Sequence, residues 1–119
     1  MDKKLLGRWG EEQAAAFLKK KKYKIVGLNY ACRFGEIDVI AQTREYIVFV
    51  EVKLRKNDNF AKAREFVTSS KQEKVRTSAQ MWLGANDCAL QPRFDVIEIY
   101  APEGEKTKTL KVNHIENAF

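Results

Sequence analysis

The sequence predicts an α/β fold in which helices cover a mixed central β-sheet, in the order αβββαββ. Three observations carry this expectation. Apolar residues recur at helical spacing ahead of any strand-like run. Three short runs rich in β-branched residues then follow one another. A second helical segment separates those runs from two more. With 119 residues, 45% of them hydrophobic, the chain has material for one core and is expected to form a single domain, residues 1–119.

The first helix is expected from Lys4 to Lys22. Leu6, Ala14, Phe17 and Leu18 recur at its spacing, with Leu5 and Trp9 alongside. Lys19–Lys22 suit the negative end of the helix dipole, and equally a basic patch. Glu11 shares the stripe of Ala14, Ala15 and Leu18, so it faces inward where leucine would be cheaper. The plainer reading, an acid complementing the helix N-terminus, fits Glu12 better, which aligns with Ala16 and Lys19. Strands are expected at Tyr23–Leu28, Ile37–Gln42 and Tyr46–Lys53. Thr43-Arg44-Glu45 joins the last two as a hairpin loop. Pairing across it sets opposite each other residues whose numbers sum to about 89, which brings Asp38 to Glu51 or its immediate neighbour.

Asn57-Asp58-Asn59 reads as a loop, and Phe60–Val67 as a short helix. The capping-box pattern Ser70-Lys71-Gln72-Glu73 opens a second long helix that should stop near Gly84–Asp87. Arg93–Tyr100 alternates as a fourth strand, Pro102–Glu105 is a turn, and Thr109–Val112 is a fifth, edge-like strand.

Composition narrows the function classes. No apolar run approaches the roughly 20 residues needed to span a bilayer, and the N-terminal apolar stretch is too short for a signal sequence. A cytoplasmic protein with no membrane contact is expected. Cys32 and Cys88 lack CxxC spacing and read as free thiols, and with His114 the sole histidine a zinc site lacks ligands. The net charge of +6 favours polyanionic partners, though a solvated lysine-rich surface gives the same number.

The chemistry concentrates in Gly35-Glu36-Ile37-Asp38 and Glu51-Val52-Lys53. Buried strands rarely carry charges unless these are paired or bind a metal. Two facing carboxylates repel unless a cation lies between them. Magnesium takes hard oxygen ligands and keeps several waters, so one to three carboxylates suffice. A neighbouring lysine can steady an attacking water and the charge that builds on phosphorus. Asp38, Glu51 and Lys53 have the right identities, and Glu11 could complete the shell if its helix packs over the sheet. The alternative is that Glu51 and Lys53 simply neutralise each other at a strand end.

Asp38 followed by Glu51-x-Lys53 on a hairpin resembles the PD-(D/E)XK nuclease superfamily, which includes restriction endonucleases and archaeal Holliday-junction resolvases. The strings Gly7-Arg8-Trp9-Gly10-Glu11-Glu12, Asn29–Asp38, Phe49–Lys53, Lys71-Gln72, Arg93-Phe94-Asp95-Val96 and His114–Phe119 resemble more closely the small bacterial YraN-like family, over essentially the whole chain. The resemblance implies a restriction-endonuclease-like fold. It implies Mg²⁺ or Mn²⁺ ligands at Asp38 and Glu51, a catalytic Lys53, and Glu11 as the helix-borne acid near the metal. Three departures stand out: Ile37 replaces the superfamily's usual proline, Lys53-Leu54-Arg55 stands where Lys-Thr-Arg is expected, and Phe60-Ala61 where Phe-Gly is expected.

The leading expectation is therefore a metal-dependent endonuclease acting on DNA, with branched DNA suggested by the resolvases. Arg33, Arg55, Lys56, Lys71 and Gln72 are the candidate nucleic-acid contacts. A homodimer is open to such an enzyme because its substrates are symmetric. The alternatives are a nucleic-acid-binding module without turnover, or a protein-interaction scaffold. Glu36 reads as a metal ligand or a cap on the strand entry, with a place beside the ligands favoured; Trp9 and Trp82 are expected in packing, and His114 and Asp95 in structural hydrogen bonds.

Overall fold

The computed structural model describes residues 2–56 and 67–119. The expected loop at Asn57–Asn59, the short helix from Phe60 and the Phe60-Ala61 pair fall on 57–66, outside the described residues. The first helix, α1, spans Lys3–Lys20 and is capped by Asp2, whose carboxylate accepts from the Leu5 N–H at 2.8 Å. It ends short of Lys22 because Lys22 takes a left-handed φ of 72°. Tyr23 N–H then donates back to the Leu18 carbonyl, and Lys22 N–H to that of Lys19, both at 3.0 Å. This is a Schellman closure made without glycine.

Strand β1, Lys24–Cys32, runs four residues beyond the expected end. A two-residue turn, Arg33-Phe34, leads into β2, Gly35–Gln42. Gly35 sits at φ 145°, which favours glycine. The hairpin to β3, Tyr46–Arg55, has the expected register: Val39 faces Val50 and Gln42 faces Ile47, each pair summing to 89. Thr43 closes the loop, its hydroxyl accepting from Tyr46 N–H at 2.9 Å.

The second helix, α2, spans Ser69–Ala85. Its cap is Thr68, accepting from Lys71 N–H at 3.1 Å, rather than Ser70. Ser70 lies inside the first turn, so the Ser70–Glu73 pattern does not act as a box. After α2 comes β4, Gln91–Tyr100, and after a 3₁₀ turn at Gly104–Lys106 comes β5, Lys111–Ile115. The 3₁₀ turn inserts one element into the expected order, and β5 lies later than Thr109–Val112.

The five strands lie in the order β1-β2-β3-β4-β5. β3 and β4 pair in parallel, and their neighbours pair antiparallel. A parallel neighbour needs a crossover, which α2 supplies. Val39, Ala41, Val48, Val50, Ile97 and Ile99 pack with Ala14 and Leu18 of α1 on one face. Ile37, Ile40, Ile47 and Phe49 pack with Val75 and Ala79 of α2 on the other. Full burial of side chains such as Leu18 and Phe49 is worth roughly 1.5–3 kcal/mol each. Trp9 and Trp82 both pack at the edges of these cores, Trp82 edge-on to Phe49. No helix among the described residues is long and apolar enough to cross a membrane.

Candidate metal centre

The β2–β3 ladder ends at the Val39–Val50 pair, one step before Asp38 and Glu51. Past that point Asp38 Oδ2 accepts from the Val52 N–H at 2.8 Å, in place of a ladder carbonyl. The continuous hydrophobic pattern on both strands keeps this region inside, so the two acids are buried with it: Asp38 is 8% exposed and Glu51 5%. Glu51 Oε1 has two cations near it, Lys53 Nζ at 3.6 Å and Lys71 Nζ at 3.7 Å. Both distances exceed an ordinary hydrogen bond. Glu51 Oε2 is buried and has no hydrogen-bond partner among the described residues. Buried polar atoms are nearly always satisfied, so this oxygen calls for an explanation.

Glu11 reaches the cluster from α1 and lies on the face of Ala14, Ala15 and Leu18, as its spacing predicts. Asn29 Nδ2 donates to its Oε1. Asn29 itself has φ 51°, a left-handed conformation that asparagine tolerates better than most residues. Burial and then the Asp38 charge push the Glu11 carboxyl up to about 7. The same two causes push Glu51 up to about 7, against the opposing pull of Lys71 and Lys53. Asp38 is also raised by burial, which the Val52 N–H partly offsets. Burial thus holds all three carboxyls above their ordinary values, and the Asp38 charge adds to this at Glu11 and Glu51.

Among the described residues no group of three or more His, Cys, Asp or Glu side chains is arranged to hold a metal ion. The expected three-carboxylate set is therefore a neighbourhood and not a closed cage. Magnesium is commonly bound through one or two carboxylates with waters filling the remaining positions. Asp38 and the free oxygen of Glu51 fit that smaller requirement, with Glu11 next to Asp38.

The expected nucleic-acid contacts divide. Arg33 is exposed at the β1–β2 turn, its guanidinium 4.8 Å from the Phe34 ring centre. Lys71 points at Glu51. Gln72 Nε2 donates to the Val67 carbonyl at 2.9 Å, so it braces the start of α2. Arg55 is half-buried at the end of β3 and Lys56 is exposed. Glu36 is exposed and lines a cleft of about 220 Å³ with Lys3, Lys4, Arg8 and Glu11. The Asn29–Glu11 link joins residues 18 apart and has no local pattern in the sequence. Its one signal is an asparagine immediately after the strand-forming run Tyr23–Leu28.

A second buried polar cluster is structural. Asp95, fully buried, accepts from Arg93 Nε at 2.9 Å and Nη2 at 2.8 Å, and from Asn117 N–H at 3.0 Å, and pairs with His114 Nε2 at 2.7 Å. Arg93 also donates to Tyr23 Oη at 2.8 Å. The network ties the 114–117 segment to β4 and to the end of α1. Cys32 and Cys88 are free.

The model of Uncharacterised protein family UPF0102 matches residues 10–99. The chain belongs to this family. A UPF0102 protein of Caldanaerobacter subterraneus subsp. tengcongensis is 47% identical over 120 residues, covering 100% of this chain and 98% of the relative. One from Alkaliphilus oremlandii is 44% identical over 124 residues, and one from Caldicellulosiruptor saccharolyticus 41% over 122, each alignment covering 100% of both chains. The UPF0102 match includes Glu11, Asn29, Asp38, Glu51, Lys53 and Lys71.

Proposed function

We propose that this UPF0102 protein is a metal-dependent endonuclease of the PD-(D/E)XK superfamily, with the restriction-endonuclease-like fold. It hydrolyses DNA phosphodiester bonds with Mg²⁺ or Mn²⁺. The observation that carries the reading is the buried Glu51 Oε2, without a hydrogen-bond partner among the described residues, near Asp38 at the point where the β2–β3 ladder ends. The mixed five-stranded sheet, with acids and lysine on its central hairpin, supports the fold assignment.

Asp38 and Glu51 would hold the ion, with Glu11 adjoining Asp38. A bound divalent cation supplies Lewis acidity to the phosphate and lowers the pKa of a water. The chain's own residues do the rest. The Val52 N–H orients the Asp38 carboxylate. Asn29 holds Glu11 against the cluster. Lys53, a quarter exposed, reaches both Glu51 and solvent, so its ammonium is placed to steady an attacking water and the charge growing on phosphorus. Low exposure around Glu51 strengthens each of these interactions.

One observation favours a second reading. Lys71 and Lys53 already face Glu51, and two ammonium groups can stand in for a cation. A nucleic-acid-binding module without turnover would be built this way. Cleavage of linear and branched DNA in Mg²⁺ or Mn²⁺, absent in Glu51→Gln and in Lys53→Ala, is the result expected of the enzyme. Salt-sensitive DNA binding without cleavage, unaffected by Lys53→Ala, would establish the module instead.

A further inference from the structure

The β1–β2 hairpin ends in Cys32-Arg33-Phe34-Gly35, and the residue at its tip is a large aromatic. Phe34 is 37% exposed, while the comparable Phe49 is wholly buried. No apolar core cluster among the described residues includes it. The Arg33 guanidinium lies over its ring, and the ring also borders two open hollows. Gly35, at φ 145°, makes the tight exit that sets the tip against α2. A Cβ there would come within 3.7 Å of Lys74 Cβ, so hairpin and helix are in close contact.

Two adjoining hollows, of about 590 and 470 Å³, share Arg33, Phe34 and Lys74. The first extends to Lys71, whose ammonium lies 3.7 Å from Glu51. The groove therefore runs from the aromatic tip past Lys74 to Lys71, the lysine that faces Glu51. Glu36 and Glu73 also line it. Arg33, Lys71 and Lys74 give it a positive excess on a chain whose net charge is +6.

We infer that this groove seats an unpaired strand of the nucleic acid, with one base stacked on Phe34 and the adjoining phosphates on Arg33, Lys71 and Lys74. The inference deepens the nuclease reading and rests on it for the kind of partner. A duplex keeps its base faces covered by their neighbours, so only an unpaired base offers a face to an exposed ring. A phenyl ring has no hydrogen-bonding group, so the seat tolerates any base. Lys71 borders the groove and faces Glu51, so a phosphate on it lies towards the candidate centre. The substrate class is thus nucleic acid carrying unpaired nucleotides next to the scissile bond, such as a single strand or a frayed fork, over a fully paired blunt duplex.

The test uses the full chain in EDTA, where binding is read without cleavage. Fluorescence anisotropy is measured with a labelled oligothymidylate and with a blunt duplex of the same length. The wild type should bind the single strand more tightly than the duplex. Phe34→Ala should weaken single-strand binding roughly ten-fold, the scale of one base-stacking contact, and leave duplex binding unchanged. Phe34→Trp should restore it. Lys74→Ala should weaken both and reduce the salt dependence. Circular dichroism melts confirm that the variants are folded. Equal binding by wild type and a folded Phe34→Ala overturns the inference, as does tighter binding of the duplex by wild type. Failure of the nuclease reading is separately visible: cleavage would be absent in Mn²⁺ while the Phe34-dependent binding in EDTA persisted.

Discussion

Replacing Glu51 by glutamine should stabilise the metal-free protein at neutral pH and above. The carboxyl is raised from 4.5 to about 7 by burial first and by Asp38 second. Each pH unit of displacement corresponds to about 1.4 kcal/mol, so ionising Glu51 costs the fold on the order of 3 kcal/mol. Asp38 and Glu11 share that cost, and relaxation of the neighbours lowers it, so the expected gain for the variant is about 1–3 kcal/mol. The sign follows from proton binding. Between 4.5 and about 7 the folded chain holds a proton that the unfolded chain has lost, so wild-type stability falls as pH rises through that window and levels off above it. Glutamine cannot ionise, and its curve should be flatter. Urea unfolding in EDTA, followed by the fluorescence of Trp9 and Trp82, reads both curves. They should converge near about pH 4 and stand apart near about pH 8. A Glu51→Gln variant less stable than wild type near about pH 8 would refute the reasoning. The ion pairs with Lys53 and Lys71 would then outweigh burial, and Glu51 would be a structural partner.

Arg93→Ala should cost about 3–5 kcal/mol in urea unfolding, because it strips a fully buried Asp95 of two hydrogen bonds. Burial alone would raise the Asp95 carboxyl, but His114, Arg93 and the Asn117 N–H hold it below the usual carboxylate range. Its stabilisation is therefore complete above the ordinary carboxylate pKa of about 3.9 and fades as pH falls through the depressed folded value; the variant, keeping only His114 and the Asn117 N–H, should show a smaller acid limb. Gly35→Ala should cost about 1–3 kcal/mol in thermal melts through its φ of 145°, since the contacts around its Cβ are ordinary. Gly84→Ala, inside α2 with nothing within 4 Å, should stabilise by about 0.5–1 kcal/mol.

Much of the acid cluster was legible because local rules determine it. A short loop at Thr43–Glu45 sets the register, and the register ends at Val39–Val50, which leaves Asp38 and Glu51 as the next residues on the two strands. Periodicity alone turned Glu11 inward. What escaped depends on contacts between distant segments or on backbone conformations that residue types only weakly announce. β1 continues to Cys32 through an asparagine at φ 51°, where sequence propensity fades after Leu28. Thr68 displaces Ser70 as the α2 cap, although both are good capping residues, because the helix begins two residues earlier than the Ser70 pattern indicated. The Asp95 network gathers Tyr23, Arg93, His114 and Asn117 from separate elements, which no local pattern could assemble. The groove beside Phe34 needs hairpin and helix together, so a lone aromatic between Arg33 and Gly35 gave no warning of it.

The most direct measurement is calorimetric titration of the apo protein with Mn²⁺ near neutral pH. Saturable uptake of a single ion by wild type, lost in both Asp38→Asn and Glu51→Gln, is the predicted outcome. Silence in wild type, or undiminished uptake by either folded variant, would mean that the unsatisfied oxygen of Glu51 serves no cation and that the hydrolytic reading is wrong.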